Sequence, residues 1–217
     1  MPIREKTILV GLYLSKFDTD GLTKLGFSNF TEAFNTIGLA LGVRPASIKN
    51  YRDEFDPLFP NGRQGWHKRV MRKYCKEIYD SFGSLDIKTF SNFLRETIYE
   101  NYEIDILLEQ VTKKEGDESS FAKRLVTGQA AEHYFRKNYS SIDIFKKYEI
   151  EDTTQYGCGF DFKLHSPNSE FVGVEVKGLH GVNGTITLTD KEYSVAQLLG
   201  GRYFLFVVKN FKETPSH

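Results

Sequence analysis

The chain has 217 residues, enough for one large or two small domains, and 29 basic side chains balance 29 acidic ones, so composition alone does not announce a nucleic-acid binder. Cys75 and Cys158 are too few and too far apart for a disulfide framework or a zinc site, and free thiols in a reducing cytoplasm are expected. No apolar run approaches the roughly 20 residues of a membrane span, and neither a signal-peptide pattern nor a glycine-rich phosphate loop occurs, so no membrane partner, secretion or nucleotide cofactor is expected.

In chain order, Asn29 reads as the cap of a helix whose apolar positions Phe30, Ala33, Phe34, Ile37 and Leu41 keep helical spacing. Gly42-Val43 makes a turn, and Pro45 suits the first position of a second helix. In that helix Ile48, Tyr51 and Phe55 are expected to face the core, and Ser47, Lys49, Asn50 and Arg52 to face outward. The spacing of Gly38, Gly42, Ile48 and Tyr51 resembles helix-turn-helix proteins, in which small residues let two helices approach and the second enters the major groove. Asn and Arg side chains read adenine and guanine edges bidentately. An ordinary helical hairpin with a charged outer face is the alternative.

Residues 61–67 form a turn-rich loop in which Trp66 is expected to anchor the loop to the core. Residues 68–80, 87–94 and 104–111 read as further helices. From Arg44 to Lys76 nine basic residues stand against three acids, a net of +6, whereas Glu77 to Glu118 carries a net of −7. Such local concentration of base is what phosphate contact requires, and Arg44, Ser47, Lys49, Asn50, Arg52, Arg63, Lys68 and Arg69 are the candidate DNA-contacting residues. The polar stretch 113–120, containing Gly116, is the expected linker between a helical DNA-recognition domain, residues 1–117, and a second domain, residues 118–217.

The second domain opens with a serine-capped helix over residues 119–137, where Phe121, Leu125, Gly128, Glu132 and Phe135 place Glu132 in the middle of an apolar stripe. A carboxylate aimed at a core requires a partner, so Glu132 is either satisfied internally, by a backbone amide or Lys177, or belongs to an active site. Residues 158–165 and 171–178 alternate with period two around a turn at 166–170 and read as a β-hairpin. Residues 184–189 read as a strand, and Thr189-Asp-Lys-Glu192 is a capping box opening a helix that stops at Gly200-Gly201. A nearly continuous apolar run, 202–208, reads as a strand covered on both faces. The fold class is therefore α+β, an all-helical first half followed by a mixed sheet flanked by helices.

On the hairpin, alternation puts Phe160, Phe162 and Leu164 on one face with Val172, Val174 and Val176, and Asp161, Glu175 and Lys177 on the other. Pairing odd with odd positions sets Asp161 across from Glu175 at roughly 5 Å. Two carboxylates that close repel unless a cation lies between them, and Mg²⁺ takes one or two carboxylates plus water and phosphate oxygens. Lys177, two residues on, is placed to orient a water or to meet developing charge on a phosphate. A solvated acid-x-lysine face is the plain alternative. His165 and His180 lie nearby and are expected to be structural.

Gly128-x-x-x-Glu132, Gly159-Phe-Asp161, Glu175-Val-Lys177-Gly178, Ile186-x-Leu-Thr-x-x-Glu192 and Tyr203-x-Leu-x-Val-Val208 together resemble the PD-(D/E)xK nuclease superfamily. Within it they look most like the domain at the C-terminus of the plant protein NO VEIN, which also occurs in bacterial restriction and phage-defence proteins. The resemblance covers roughly residues 119–208 and departs at Phe160, where proline is the more recognisable letter. It implies a restriction-endonuclease-like, Mg²⁺-dependent nuclease domain with Asp161, Glu175 and Lys177 catalytic, Asp161 and Glu175 as metal ligands and Glu132 as auxiliary acid. Gln197 is a further position where such proteins often carry a polar site residue. The expectation is a cytoplasmic type II restriction endonuclease cutting double-stranded DNA as a homodimer, two-fold like its site. The alternatives are a modification- or structure-dependent nuclease and a catalytically inactive DNA-binding regulator.

Overall fold

The computed structural model describes residues 1–98, 118–166 and 169–217. It divides into two compact units, Met1–Val126 and Thr127–His217. The chain is of the α+β class, with helices in the first unit and a four-stranded mixed sheet in the second. No helix among the described residues is long and apolar enough to cross a membrane. The expected helix at 104–111, most of the expected linker and the turn residues Pro167 and Asn168 lie outside the described residues.

The first unit is organised around α1 (Ile3–Lys24), an element that periodicity does not announce. Its segment Ile8, Leu9, Val10, Leu12, Tyr13 and Leu14 is at most 1% exposed, so this stretch is buried on every side and has no stripe to detect. α2 (Phe30–Ala40) and α3 (Pro45–Phe55) form the expected hairpin. Asn29 caps α2 by accepting the Glu32 N–H at 2.8 Å, and Pro45 opens α3. Gly42 turns the chain with φ at +69°, and a Cβ on Gly38 would lie 3.0 Å from the Pro45 Cα, so glycine is what lets these helices close up.

α4 (Lys73–Phe82) starts later than expected. The preceding loop is pinned to α3, with the Trp66 N–H on the Asp53 carbonyl at 2.8 Å and the Arg72 N–H on the Glu54 carboxylate at 2.8 Å, which prevents residues 68–72 from coiling. The Trp66 backbone thus ties the loop to α3, but its ring does not anchor it in the core: it is half-buried and lies beneath Arg69. α5 (Ile87–Ile98) packs against α1, with Tyr13 bonded to Ser91 at 2.7 Å and its ring 5.4 Å from Phe90.

In the second unit the strand order is β1 (Glu149–Asp152), β2 (Phe162–Ser166), β3 (Ser169–Gly178), β4 (Tyr203–Val208). The first three are antiparallel and β4 runs parallel to β3. One face is covered by α6 (Glu118–Asn138), whose Phe135 ring lies 5.2 Å from Phe162 and 4.8 Å from Phe206. The other face receives α7 (Asp190–Leu199), which leads through a 3₁₀ turn into β4.

Two sequence expectations need correction here, and the sheet has one further strand. Residues 184–189 are unpaired: Ile186 and Leu188 are half-buried and their neighbours exposed, as in an extended segment, but the segment joins neither edge of the sheet, β1 or β4. β4 is an edge strand covered mainly on one face, with Leu205 43% exposed on the other. β1, a short edge strand, was not anticipated.

Candidate active site

The hairpin register pairs Phe162 with Val174, Lys163 with Gly173 and Leu164 with Val172. Odd positions therefore meet odd positions, and the register continued by one residue sets Asp161 opposite Glu175. Asp161 itself stands just ahead of β2. Its backbone N–H donates to the Val174 carbonyl at 3.0 Å, and its Oδ2 accepts the Val176 N–H at 2.8 Å. The side chain thus takes over a ladder position the strand does not reach, which fixes where the carboxylate points.

Phe160 does not join Phe162 on the apolar face. Gly159, with φ at +87°, breaks the alternation before the strand begins, and a Cβ on Gly173 would lie 2.9 Å from the Phe160 ring and 3.0 Å from Leu199 of α7. Phe160 therefore lies on the Glu175 side, packed with α7.

Glu175 is 4% exposed in the centre of β3. Its Oε1 stands 2.6 Å from the Lys177 Nζ, which in turn stands 2.9 Å from the Glu192 Oε2. Glu192 is the third residue of α7, and the same Oε2 accepts the Thr189 N–H at 3.0 Å while the Thr189 hydroxyl accepts the Glu192 N–H at 3.2 Å. The capping box read from the sequence is present, and its acid also reaches the site. Tyr203, across β4, donates its phenol to the Gly159 carbonyl at 3.2 Å.

Two carboxylates thus contact one ammonium, and a third, Asp161, lies within its electrostatic reach. Burial raises the Asp161 carboxyl above the ordinary carboxylate range. Burial raises Glu175 too, and the neighbouring Asp161 charge raises it further. Burial pulls Lys177 down, but bonds to Glu175 and Glu192 outweigh it and hold the ammonium charged. An isolated ion pair would lower Glu175 as it raises Lys177, so its upward shift shows that burial and the second acid outweigh the lysine. Burial, followed by Glu175, Glu192 and Asp161, raises the Tyr203 phenol as well.

Such a surplus of buried carboxyl groups over ammonium, hard oxygen donors whose joint ionisation burial opposes, fits a divalent cation of the Mg²⁺ type. Among the described residues no group of three or more His, Cys, Asp or Glu is placed to hold a metal ion. The candidate donors are Asp161 and Glu175, and Mg²⁺ characteristically completes so sparse a set with water and phosphate.

Glu132 is half-buried on α6, not in the middle of its stripe. The buried positions are Val126, Thr127, Ala130, Ala131 and Phe135, which centres the stripe closer to Thr127 and Ala131 and leaves Glu132 on the flank. Gln197 is exposed and donates to the Tyr193 hydroxyl at 3.2 Å. His165 sits toward the far end of β2, 3.6 Å from Glu149, and His180 lies beyond β3, 3.5 Å from the Thr127 hydroxyl.

The candidate DNA-contacting set divides. Arg44, Lys49, Asn50, Lys68 and Arg69 are exposed and Ser47 is half-buried, with Lys49 2.7 Å from Asp53. Arg69 lies 3.6 Å over the Trp66 ring and 3.3 Å from Glu54. Arg52 does not face outward: it is 8% exposed, lies 4.8 Å over Phe30, and is paired with Asp53 at 2.7 Å. Arg63 is likewise held by Asp18 at 2.6 Å and Asp56 at 3.0 Å.

Residues 128–217 match the family model described as Protein NO VEIN, C-terminal. The matched segment contains Glu132, Asp161, Glu175, Lys177, Glu192 and Tyr203, consistent with a NO VEIN-type domain. No curated protein and no solved structure matches the chain.

Proposed function

We propose that the second unit is a Mg²⁺-dependent endodeoxyribonuclease centre and that the chain is a type II restriction endonuclease, in which the helical unit finds the double-stranded site. The supporting observation is the group Asp161, Glu175 and Lys177 gathered on one side of β3, with more buried carboxylate than ammonium. Asp161 and Glu175 are the residues that would hold the ion. When bound, Mg²⁺ supplies Lewis-acid stabilisation of the phosphate and of the departing oxygen.

Lys177, kept charged by two acids, acts as a donor and not as a base: it orients the attacking water and opposes charge building on the phosphate. Exposed Leu205, paired with Glu175 in register, marks the part of this sheet face left open for a substrate. Glu132 serves as auxiliary acid from α6. Arg44, Ser47, Lys49, Asn50, Lys68 and Arg69 are assigned to DNA contact, and a two-fold homodimer supplies one centre per strand.

The test is purified protein incubated with phage DNA and Mg²⁺, followed by sequencing of the fragment ends. Discrete ends sharing a sequence support the reading, and Glu175→Gln or Lys177→Ala should lower cleavage at least about 100-fold while DNA binding persists. Full activity in either variant would refute the assigned roles.

The inward turn of Arg52 and Arg63 favours one rival, a nuclease that reads DNA modification or shape with few base contacts. Cleavage confined to methylated or branched substrates would select it. Tight sequence-specific binding without cleavage in Mg²⁺ or Mn²⁺ would select the inactive regulator.

A further inference from the structure

Glu175 has two demands on one carboxylate. In the structure its Oε1 holds Lys177 at 2.6 Å, yet the proposed reaction gives the same group to a cation. A lysine is long and freely rotating, so if Glu175 turned to an ion with no second acceptor present, Lys177 would lose its aim. That second acceptor is Glu192, at 2.9 Å.

Glu192 is itself immobilised. The oxygen that meets Lys177 also accepts the Thr189 backbone N–H, which sets its rotamer, while the Thr189 hydroxyl accepts the Glu192 backbone N–H and caps the first turn of α7. The helix is in turn fixed to the sheet. A Cβ on Gly159 would lie 2.7 Å from Val195, and one on Gly173 would lie 3.0 Å from Leu199. The positive end of the helix favours a charged carboxylate at this position. Glu192 is only 16% exposed, so water competes little for it.

We infer that Glu192 is a positioning residue for Lys177: held by the Thr189 backbone N–H, it keeps the ammonium aimed while Glu175 is engaged elsewhere. This deepens the nuclease reading and rests on it. The plain alternative is that Glu192 merely caps a helix.

Two substitutions separate these roles. Glu192→Gln keeps an oxygen for the Thr189 N–H, since glutamine serves equally in a capping box, but removes the charge facing Lys177. Thr189→Ala weakens the cap and leaves the Lys177 pair in place. Positioning requires that Glu192→Gln lower kcat by about 10- to 100-fold with KM little changed, the scale of a misplaced catalytic group, at a melting temperature close to that of the wild type. Thr189→Ala should melt several degrees lower yet keep kcat within about threefold. Wild-type kcat in Glu192→Gln, or kcat falling in step with melting temperature in both variants, would overturn the inference.

A readout without catalysis keeps the two ideas apart. Denaturation midpoints of Lys177→Met, Glu192→Gln and the double variant should be non-additive if the pair is coupled. Additive midpoints overturn the positioning role. Wild-type protein that cleaves no DNA while the midpoints remain non-additive would defeat the nuclease reading alone.

Discussion

Glu175 shows how a residue suited to chemistry burdens the fold that carries it. Burial and Asp161 push its carboxyl up, from 4.5 to about 8, so the folded protein holds a proton there that the unfolded chain has already released. A folded-state value above the unfolded one means that the stabilising contribution is complete below about pH 4.5 and is lost as pH rises toward 8. Without divalent cation, Glu175→Gln should raise the melting temperature of the second unit at pH 8 by at least about 4 °C, the shift roughly 1 kcal/mol gives in a small domain, and change it little at pH 4.5. A variant less stable than wild type at pH 8 would contradict this.

Arg63 is the converse case, a cation whose work is structural. Asp56 is 1% exposed and depends on Arg63 at 3.0 Å, with Ser15 and Asn61 also donating to it. Arg63→Ala should destabilise the first unit by about 2–4 kcal/mol in a urea melt, because a buried carboxylate loses its main counter-charge. Lys49→Ala, at an exposed position, should leave the melt within about 0.5 kcal/mol of wild type.

At the scale of elements, α6 approaches the site strand tightly at Gly178. A Cβ there would lie 2.7 Å from the Thr127 Cγ2 and 2.8 Å from the Thr127 carbonyl oxygen, and backbone cannot yield as a flexible side chain can. Gly178→Ala should therefore destabilise the second unit by about 1–3 kcal/mol, measured by thermal melts, through overpacking at the end of β3. An unchanged melt would mean that α6 and β3 are not so closely apposed. The elements most legible in the sequence are those with marked ends. α2 and α3 have a capping asparagine, a glycine turn and an N-terminal proline, and α7 has its capping box. α1 carries no readable period because its middle is buried on all sides, and the alternation at 184–189 reports an extended backbone but not a pairing partner.

For the whole molecule, the balance of charge acts through its distribution. The basic stretch from Arg44 to Lys76 has a net of +6 in sequence, yet Arg52, Arg63, Arg69 and Arg72 are engaged by Asp18, Asp53, Asp56 and Glu54. Binding of DNA by the full chain should therefore depend on salt with a slope of only about −3 to −4 in log K against log salt, at ~0.9 per phosphate contact, from groups such as Arg44, Lys49 and Lys68. Fluorescence anisotropy across a salt series measures it, and a slope near −8 would mean that the internal pairs open on binding. Sequence alone determined the helical first half, the hairpin, its odd-to-odd register and the shared side of Asp161, Glu175 and Lys177, because these follow from local periodicity and turn chemistry. Which arginines turn inward, where Glu132 falls relative to its stripe, and that the Glu192 cap also holds Lys177 were decided only in three dimensions. A side chain's partner across space is set by packing between distant segments, and no local pattern encodes it.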